Sequence, residues 1–261
     1  MMKNFYIGLM LAISTLITAV ACSVKEKRDT CPCRMILDFS EVDVNAYADM
    51  RVFVSGEAET LCDEYSVPEE FFPMYEILIP RSDVAVNVYS GEEDCLKRGE
   101  GIVIPYGEEC PRIFMHSAIV NASGESVRDT VIMHKNHCVV ELYIDNDDDL
   151  EYDLRVKGNI SGYGRDGSPV KGEFSFIPVP DAECRYMVII PRQVDESLLL
   201  EIDDGTEVLK TVSLGKLIAA GGYDWEASDL EDLTVHIDWA MTSVTVAVSG
   251  WDWVYESEIV I

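Results

Sequence analysis

The sequence predicts an all-β protein built from antiparallel β-sandwiches. Apolar and polar residues alternate in many short runs, which is typical of strands that bury one face. Clusters of Gly, Pro, Asp and Asn separate these runs at the spacing of turns. Long amphipathic helical patterns are absent from the sequence, which disfavours a parallel sheet with helical crossovers.

The first residues have the pattern of a bacterial export signal. Lys3 precedes an uncharged run that is short for a membrane span, and small residues then lead to Cys22. Small residues directly before a cysteine are typical of a lipobox, in which the cysteine becomes the lipidated first residue of the mature chain. We therefore expect residues 1–21 to be a signal peptide, Cys22 to be lipidated, and residues 22–30 to be a tether. The alternative is an ordinary signal peptide with an incidental cysteine.

The net negative charge of the chain disfavours some classes of binding partner. The formal net charge is −28, and a field of that sign repels phosphate backbones and anionic lipid head groups. We expect no nucleic-acid binding, and we expect membrane attachment to depend on acyl chains, of which stable anchoring needs more than one. Eight cysteines also favour an exported protein over a cytosolic one.

Seven runs of the remaining sequence predict strands, because each places its apolar residues on one face. The run from Ser213 to Gly222 predicts one short helix that ends at a glycine pair. The aligned apolar residues are, in chain order, Cys33, Met35, Leu37 and Phe39; Val84, Val86 and Val88; Cys138, Val140, Leu142 and Ile144; Tyr152, Leu154 and Val156; Phe174 and Phe176; Leu233, Val235, Ile237 and Trp239; and Val244, Val246 and Val248.

The acidic stretch "DNDDDLEYD" at 145–153 predicts a solvated connection between two domains, since its aspartates cannot be buried unpaired. We place an N-terminal β-sandwich at 31–145 and a C-terminal one at 146–261. A calcium loop is the alternative for this stretch. The EF-hand pattern wants Gly at its sixth position and Glu at its twelfth, where this chain has Leu150 and Val156.

The sequence shows no constellation of residues that would carry catalysis or bind a metal. His134, His137 and Cys138 lie close together, but their spacing does not fit the paired ligands of zinc sites. His116 and His236 fall inside strand-like runs, and nucleophile-elbow, P-loop and dinucleotide-binding motifs are absent from the sequence. We therefore expect no enzyme activity, no cofactor and no metal.

Two groups of residues leave alternatives open. Trp225, Trp239, Trp251 and Trp253 cluster near the end of the chain, where they form either a sugar-binding patch or, as we favour, part of the core. The second group could form two disulfide bridges, for which three connectivities exist. Its members are Cys31, Cys62, Cys95 and Cys110.

Four longer stretches resemble a known family. They are "CPCRMILDFS", "SVRDTVIMHKNHCVVELYI", "YMVIIPRQVDESLLLEI" and "GGYDWEASDLEDLTVHIDWAMTSVTVAVSGW", in which "PRQ", "GYDW" with a following "DL", and the closing "GW" are the most specific pieces. On these stretches the chain resembles the FimB-like fimbrial anchor lipoproteins of Bacteroidales, minor subunits that anchor type V pili. The resemblance covers nearly all of the mature chain.

The resemblance implies two transthyretin-like, Greek-key β-sandwich domains in tandem and no cofactor or reaction. It implies an outer-membrane lipoprotein that sits at the base of a fimbria, anchors it and limits its length. The partners would be fimbrial structural subunits, bound by strand addition. We also expect the alternating terminal segment at 256–261 to be paired, either in the fold or with a partner. The alternative is a surface adhesin or glycan-binding lipoprotein.

Overall fold

The computed structural model describes most of the chain beyond the expected tether, and Cys22 lies outside its described residues. No helix within these residues is both long and apolar enough to cross a membrane. Most of the acidic stretch at 145–153 is likewise not described. The described ranges are 31–91, 101–145, 152–238, 243–249 and 254–258.

Two sheets form the first sandwich. Sheet I has three strands in the order β4-β1-β8, and sheet II has five in the order β3-β2-β5-β7-β9. A short helix, α1, joins β3 to β4. The bounds are β1 Cys33–Asp38, β2 Met50–Ser55, β3 Thr60–Ser66, α1 Pro68–Phe71, β4 Met74–Ile79, β5 Asp83–Ser90, β7 Phe114–Asn121, β8 Ser126–Thr130 and β9 His134–Lys135.

The second sandwich also consists of two sheets. Sheet III has the order β13-β10-β16-β17-β18, and sheet IV has the order β12-β11-β14-β15, with β6 added to β11. The helix α2 lies between β15 and β16. The bounds are β6 Ile102–Val103, β10 His137–Asp145, β11 Asp153–Tyr163, β12 Pro169–Phe176, β13 Tyr186–Pro191, β14 Leu199–Asp203, β15 Val208–Val212, α2 Leu214–Ala220, β16 Leu233–Asp238, β17 Ser243–Val248 and β18 Val254–Glu258.

The two sandwiches repeat one topology. When strands are counted within each sandwich, the first strand lies between the fourth and the seventh and runs parallel to the seventh. In this way β1 pairs with β8, and β10 pairs with β16. The other sheet has the order third, second, fifth, sixth in both sandwiches. Every other pairing among the described strands is antiparallel. The predicted fold class, two β-sandwiches in tandem, is therefore confirmed.

The predicted apolar faces form the cores of the sandwiches. Cys33, Met35 and Leu37 of β1 are fully buried in the first core, and the valines of β5 lie beside them. Leu154 and Val156 of β11 are fully buried in the second core, together with the predicted faces of β10 and β16. Side chains of a strand point alternately to its two faces, so a period of two in the sequence identifies the buried face.

The predicted helix is α2, and it ends at the expected glycine pair. Leu214 and Ile218 lie one turn apart and are buried in the second core. The Gly221 N–H bonds the Leu217 carbonyl, and Gly222 has a φ of +78°, a conformation in which glycine meets no side-chain clash.

The pairing of β10 places the boundary between the two sandwiches before this strand, whereas the sequence predicts the boundary after residue 145. The sequence places this strand at the end of the N-terminal domain, but β10 pairs with β13 and β16 of sheet III. The sheets therefore change between β9 and β10, near Asn136. Alternating apolar and polar residues predict that a segment forms a strand. They do not predict which strands pair with it, because pairing depends on contacts between distant segments.

Candidate functional site

The open side of the first sandwich, which β7 and β8 border, is the candidate functional site. In the second sandwich, β17 and β18 continue sheet III beyond β16. In the first, β8 is the last described strand of sheet I, although it holds the position equivalent to β16. On the other sheet, β9 pairs with β7 only at Phe114 and Met115. Residues 116–121 of β7 therefore pair with β5 on one side and have no described strand on the other.

The main chain of β8 presents hydrogen-bonding groups at this open side. The Glu125 carbonyl accepts from the Arg34 N–H, and the Val131 N–H donates to the Asp38 carbonyl, so these odd-numbered positions point toward β1. Main-chain groups of successive residues in a strand point to opposite edges. The even-numbered positions of β8, which are Ser126, Arg128 and Thr130, therefore point away from β1 and toward the open side.

Apolar side chains lie behind this edge. Ala118 of β7 and Val127 of β8 are half-buried and pack against the first core, and Met133 does so just beyond the site. Ile132 is also exposed next to the site. An extended segment placed here could bond the main chain of β8 and bury alternate side chains against these residues.

A histidine and an aspartate join the two sheets at one end of the open side. His116 lies on β7 and Asp129 on β8, and Nε2 of the imidazole is 3.0 Å from Oδ2 of the carboxylate. The Ile132 N–H donates to Nδ1 of the same ring at 3.3 Å. Because Nδ1 accepts, the ring proton lies on Nε2 and is donated to Asp129. His116 therefore has a structural role between the sheets.

An ion pair lies on the outer face of sheet I beside the same edge. Arg128 Nη2 contacts Asp38 Oδ2 at 2.5 Å, and the Ser40 N–H also donates to this carboxylate. These hydrogen bonds hold the pKa of Asp38 below its ordinary value, and the bond from Arg128 has the largest effect. Charged side chains next to an open strand edge oppose non-specific pairing with other chains.

The terminal strand β18 is the last described strand of sheet III. It pairs antiparallel with β17, and Ser243 faces Glu258 in this pairing. Residues 256–258 of the expected paired segment are thus paired within the fold, while residues 259–261 lie outside the described part. The outer edge of β18 has no described strand beside it and is a second open edge.

Two sequence motifs, "PRQ" and "GYDW" with its following "DL", meet at the junction between the sandwiches. Arg192 donates to the Ala227 carbonyl at 2.7 Å, and also to the carbonyls of Trp225 and Ser228. Its Nε donates to Asn136 Oδ1 at 2.9 Å. Burial lowers the pKa of Arg192 from its ordinary value. Arg192 thus holds the loop around Trp225 against the connection between β9 and β10.

Two aspartates of the same loop complete this junction. Asp229 accepts a hydrogen bond from the Lys135 N–H at 2.7 Å, and its other oxygen lies 3.2 Å from His134 Nδ1. Asp232 accepts from the Val139 N–H at 2.8 Å and from the Lys135 ammonium. Arg192, Asp229 and Asp232 therefore fix the geometry of the connection between β9 and β10. This role depends on contacts between distant segments, which the spacing of residues in the sequence does not reveal.

The structure separates the histidines and the cysteine that stood close together in the sequence. His134 pairs with Asp229, whereas His137 is buried and donates from Nδ1 to the Ile113 carbonyl at 3.0 Å. Cys138 is fully buried in the second core, and burial raises the pKa of its thiol to about 12. No cluster of three or more metal-ligating side chains occurs in the described ranges.

The structure also locates four of the eight residues that had alternative interpretations. Cys31 and Cys62 are free thiols, and the thiol of Cys110 donates to the Pro111 carbonyl, so neither suggested bridge occurs within the described part of the chain. Trp225 is half-buried and packs edge-on against Tyr223 beside the second core. Outside the described residues lie Cys95, Trp239, Trp251 and Trp253.

The fold is that of tandem β-sandwich proteins, and solved structures with this fold come from Bacteroides and Porphyromonas species. No model of a known protein family matches the chain, and no curated protein sequence matches it. The solved structures that share the fold include proteins described as fimbrial proteins and adhesins.

Three of these structures share the fold over most of their length. A candidate polysaccharide-binding protein from Bacteroides thetaiotaomicron has a TM-score of 0.62 and 13% identity, covering 87% of this chain and 98% of its own. The fimbrial anchor protein Mfa2 from Porphyromonas gingivalis has a TM-score of 0.57 and 11% identity, covering 85% and 98%. A candidate adhesin from Bacteroides thetaiotaomicron has a TM-score of 0.55 and 9% identity, covering 86% and 97%. At these identities the likeness establishes the fold.

Proposed function

We propose that this protein is a minor fimbrial subunit that anchors a fimbria to the outer membrane and limits its length. The observation that carries the proposal is the tandem fold, which the fimbrial anchor Mfa2 shares over 98% of its own length. The family-like stretches of the sequence support the same role. The proposal includes no catalytic reaction and no cofactor, in keeping with a sequence that has no catalytic motif.

In this proposal, Cys22 carries the lipid that holds the protein in the outer membrane. The tether at 22–30 separates the lipid from β1, which begins at Cys33. Replacing Cys22 by Ala should remove the lipid, release the protein from the membrane fraction and shed fimbriae into the medium. Fimbriae that stay attached at normal length in cells with this variant would contradict the anchoring role.

The open side of the first sandwich is the proposed binding site for a fimbrial structural subunit. An added strand would bond the outward main-chain groups of β8, and its alternate side chains would reach Ala118 and Val127. Replacing Thr130 by Pro removes an outward N–H and leaves the bonds to β1 in place. Replacing Thr130 by Val keeps the N–H and serves as the matched control. The proline variant should lose the subunit, and the valine variant should retain it.

A surface adhesin or glycan-binding lipoprotein is the second candidate. The fold likeness to a candidate polysaccharide-binding protein favours it, and so does the cluster of tryptophans near the chain end. Binding on a glycan array that replacing Trp251 by Ala abolishes, in a variant that stays folded, would select this function. Absence of binding to any glycan would leave the anchor as the supported role.

A further inference from the structure

A segment of the first sandwich enters the second. Residues 101–113, here called the insert, lie between β5 and β7, which are neighbours in sheet II. The insert nevertheless carries β6, which pairs with the end of β11 in sheet IV. The Ile104 N–H donates to the Ser161 carbonyl at 2.8 Å, and the Gly107 N–H donates to the Ser175 carbonyl at 3.0 Å. The insert thus bonds both β11 and β12.

The insert contributes four side chains to the core of the second sandwich. Their exposed fractions are at most 2%, and they share one apolar cluster with residues of β10, β11 and β16. Without the insert, this part of the second core would face solvent. The four residues are Ile102, Ile104, Cys110 and Ile113.

Two glycines allow the insert to approach β11 closely. A Cβ on Gly162 would overlap the Ile102 carbonyl oxygen, and a Cβ on Gly101 would overlap the Tyr163 carbonyl oxygen. Gly162 also has a φ of +150°, which side chains rarely allow. The sequence therefore permits this backbone contact from both sides.

The insert also covers an edge of the other sheet. β13 is an edge strand of sheet III, and its Ile189 N–H donates to Oε1 of Glu109 at 2.9 Å. The insert thus pairs with a strand of sheet IV and bonds the edge strand of sheet III through one side chain. Next to it, Tyr89 of β5 donates to the Gly164 carbonyl in the turn after β11, at 3.2 Å.

We propose that the insert is an internal complementing strand, so that the second sandwich is stable only while the first supplies it. Unfolding of the first sandwich would withdraw the insert and uncover the edges of β11 and β13. The two sandwiches would then resist unfolding as one unit. This coupling does not depend on the proposed fimbrial function.

The four tryptophans give a probe for this coupling, because all of them lie at or beyond Trp225, in the second half of the chain. Leu37 is fully buried in the first core, in a different apolar cluster from the insert. Replacing Leu37 by Ala in the full chain should lower the denaturant midpoint of tryptophan fluorescence together with the midpoint of far-ultraviolet circular dichroism. An unchanged fluorescence midpoint would overturn the proposal. If this variant does not fold, Val86→Ala makes a smaller cavity in the same core.

A second experiment tests the contact itself. Gly162→Ala should displace β6, and hydrogen exchange of β11 and β13 should accelerate by about tenfold or more, because their covered edges open. Gly205→Ala is the matched control, since Gly205 lies in the turn between β14 and β15 with a φ of +83° but has no atom within 4 Å of its Cβ position. Equal exchange of β11 and β13 in the two variants would overturn the proposal. Ile104→Ala, which removes one insert side chain, provides a milder variant with the same expected pattern.

Discussion

His116 and Asp129 lie 3.0 Å apart and join the two sheets of the first sandwich by one hydrogen bond at its open side. Both side chains are largely buried, so neither group can exchange this bond fully for water. The bond therefore sets the distance between β7 and β8 where we propose that a partner strand binds.

Replacing Asp129 by Asn should destabilise the first sandwich by about 1–3 kcal/mol, because the charged acceptor of a largely buried hydrogen bond is lost. Asp83→Asn is the control, since Asp83 accepts from Asn121 at an exposed site. Its cost should stay within about 0.5 kcal/mol. Chemical denaturation of both variants measures these free energies of unfolding. Equal stabilities of the two variants would contradict the structural role of the His116 pair.

Replacing Arg192 by Lys should destabilise the junction by about 3 kcal/mol, since an ammonium cannot bond three carbonyls and Asn136 as the planar guanidinium does. Arg185→Lys is the control, because Arg185 forms a half-exposed pair with Asp181. That replacement should cost much less, because solvent screens an exposed ion pair. Denaturant midpoints for the two variants give the comparison. A smaller loss for Arg192→Lys than for Arg185→Lys would exclude Arg192 as the clamp of the junction.

Mild acid should destabilise the protein through His137. Burial lowers the pKa of His137 below its ordinary value of 6.5. The unfolded chain therefore takes up a proton as pH falls through 6.5 while the folded chain does not, and stability decreases from that pH downward. His137→Asn retains a donor for the Ile113 carbonyl but does not titrate. The fall in melting temperature between pH 7.5 and pH 5 should be smaller in this variant, and an equal fall would exclude His137 as a cause.

Alkylation should distinguish the cysteines by exposure. Cys31 and Cys184 are exposed, whereas Cys33 and Cys138 are buried. The exposed pair should be modified within minutes in the native protein, and the buried pair only after unfolding, since the reactive species is an accessible thiolate. Peptide mass spectrometry measures the extent at each position. Rapid modification of Cys138 would contradict its place in the second core.

The sequence predicted the strand faces well because burial on one side of a sheet leaves a period of two. Leu37, Val86, Leu154 and Val235 were all placed on buried faces, and the structure confirms them. The short helix before Gly221 was equally clear, because its apolar residues and its terminal glycines agree. These features depend on neighbours along the chain, which a single sequence contains.

Other features depend on contacts between distant segments and could not be predicted. The pairing of β10 with sheet III and the entry of residues 101–113 into the second sandwich are examples. The two sandwiches share one topology without a detectable repeat in the sequence, because each core requires only alternating apolar side chains of suitable volume. Gly101 and Gly162 permit the close backbone approach, but nothing in the sequence indicated that their two segments lie side by side.

The most direct test of the proposed fimbrial role is to recover the intact protein from solubilised cell membranes and to identify its partners by mass spectrometry. We expect fimbrial structural subunits to be recovered with the natural protein and with Thr130→Val, and to be depleted with Thr130→Pro. Recovery of the natural protein without any fimbrial subunit would contradict the anchoring account.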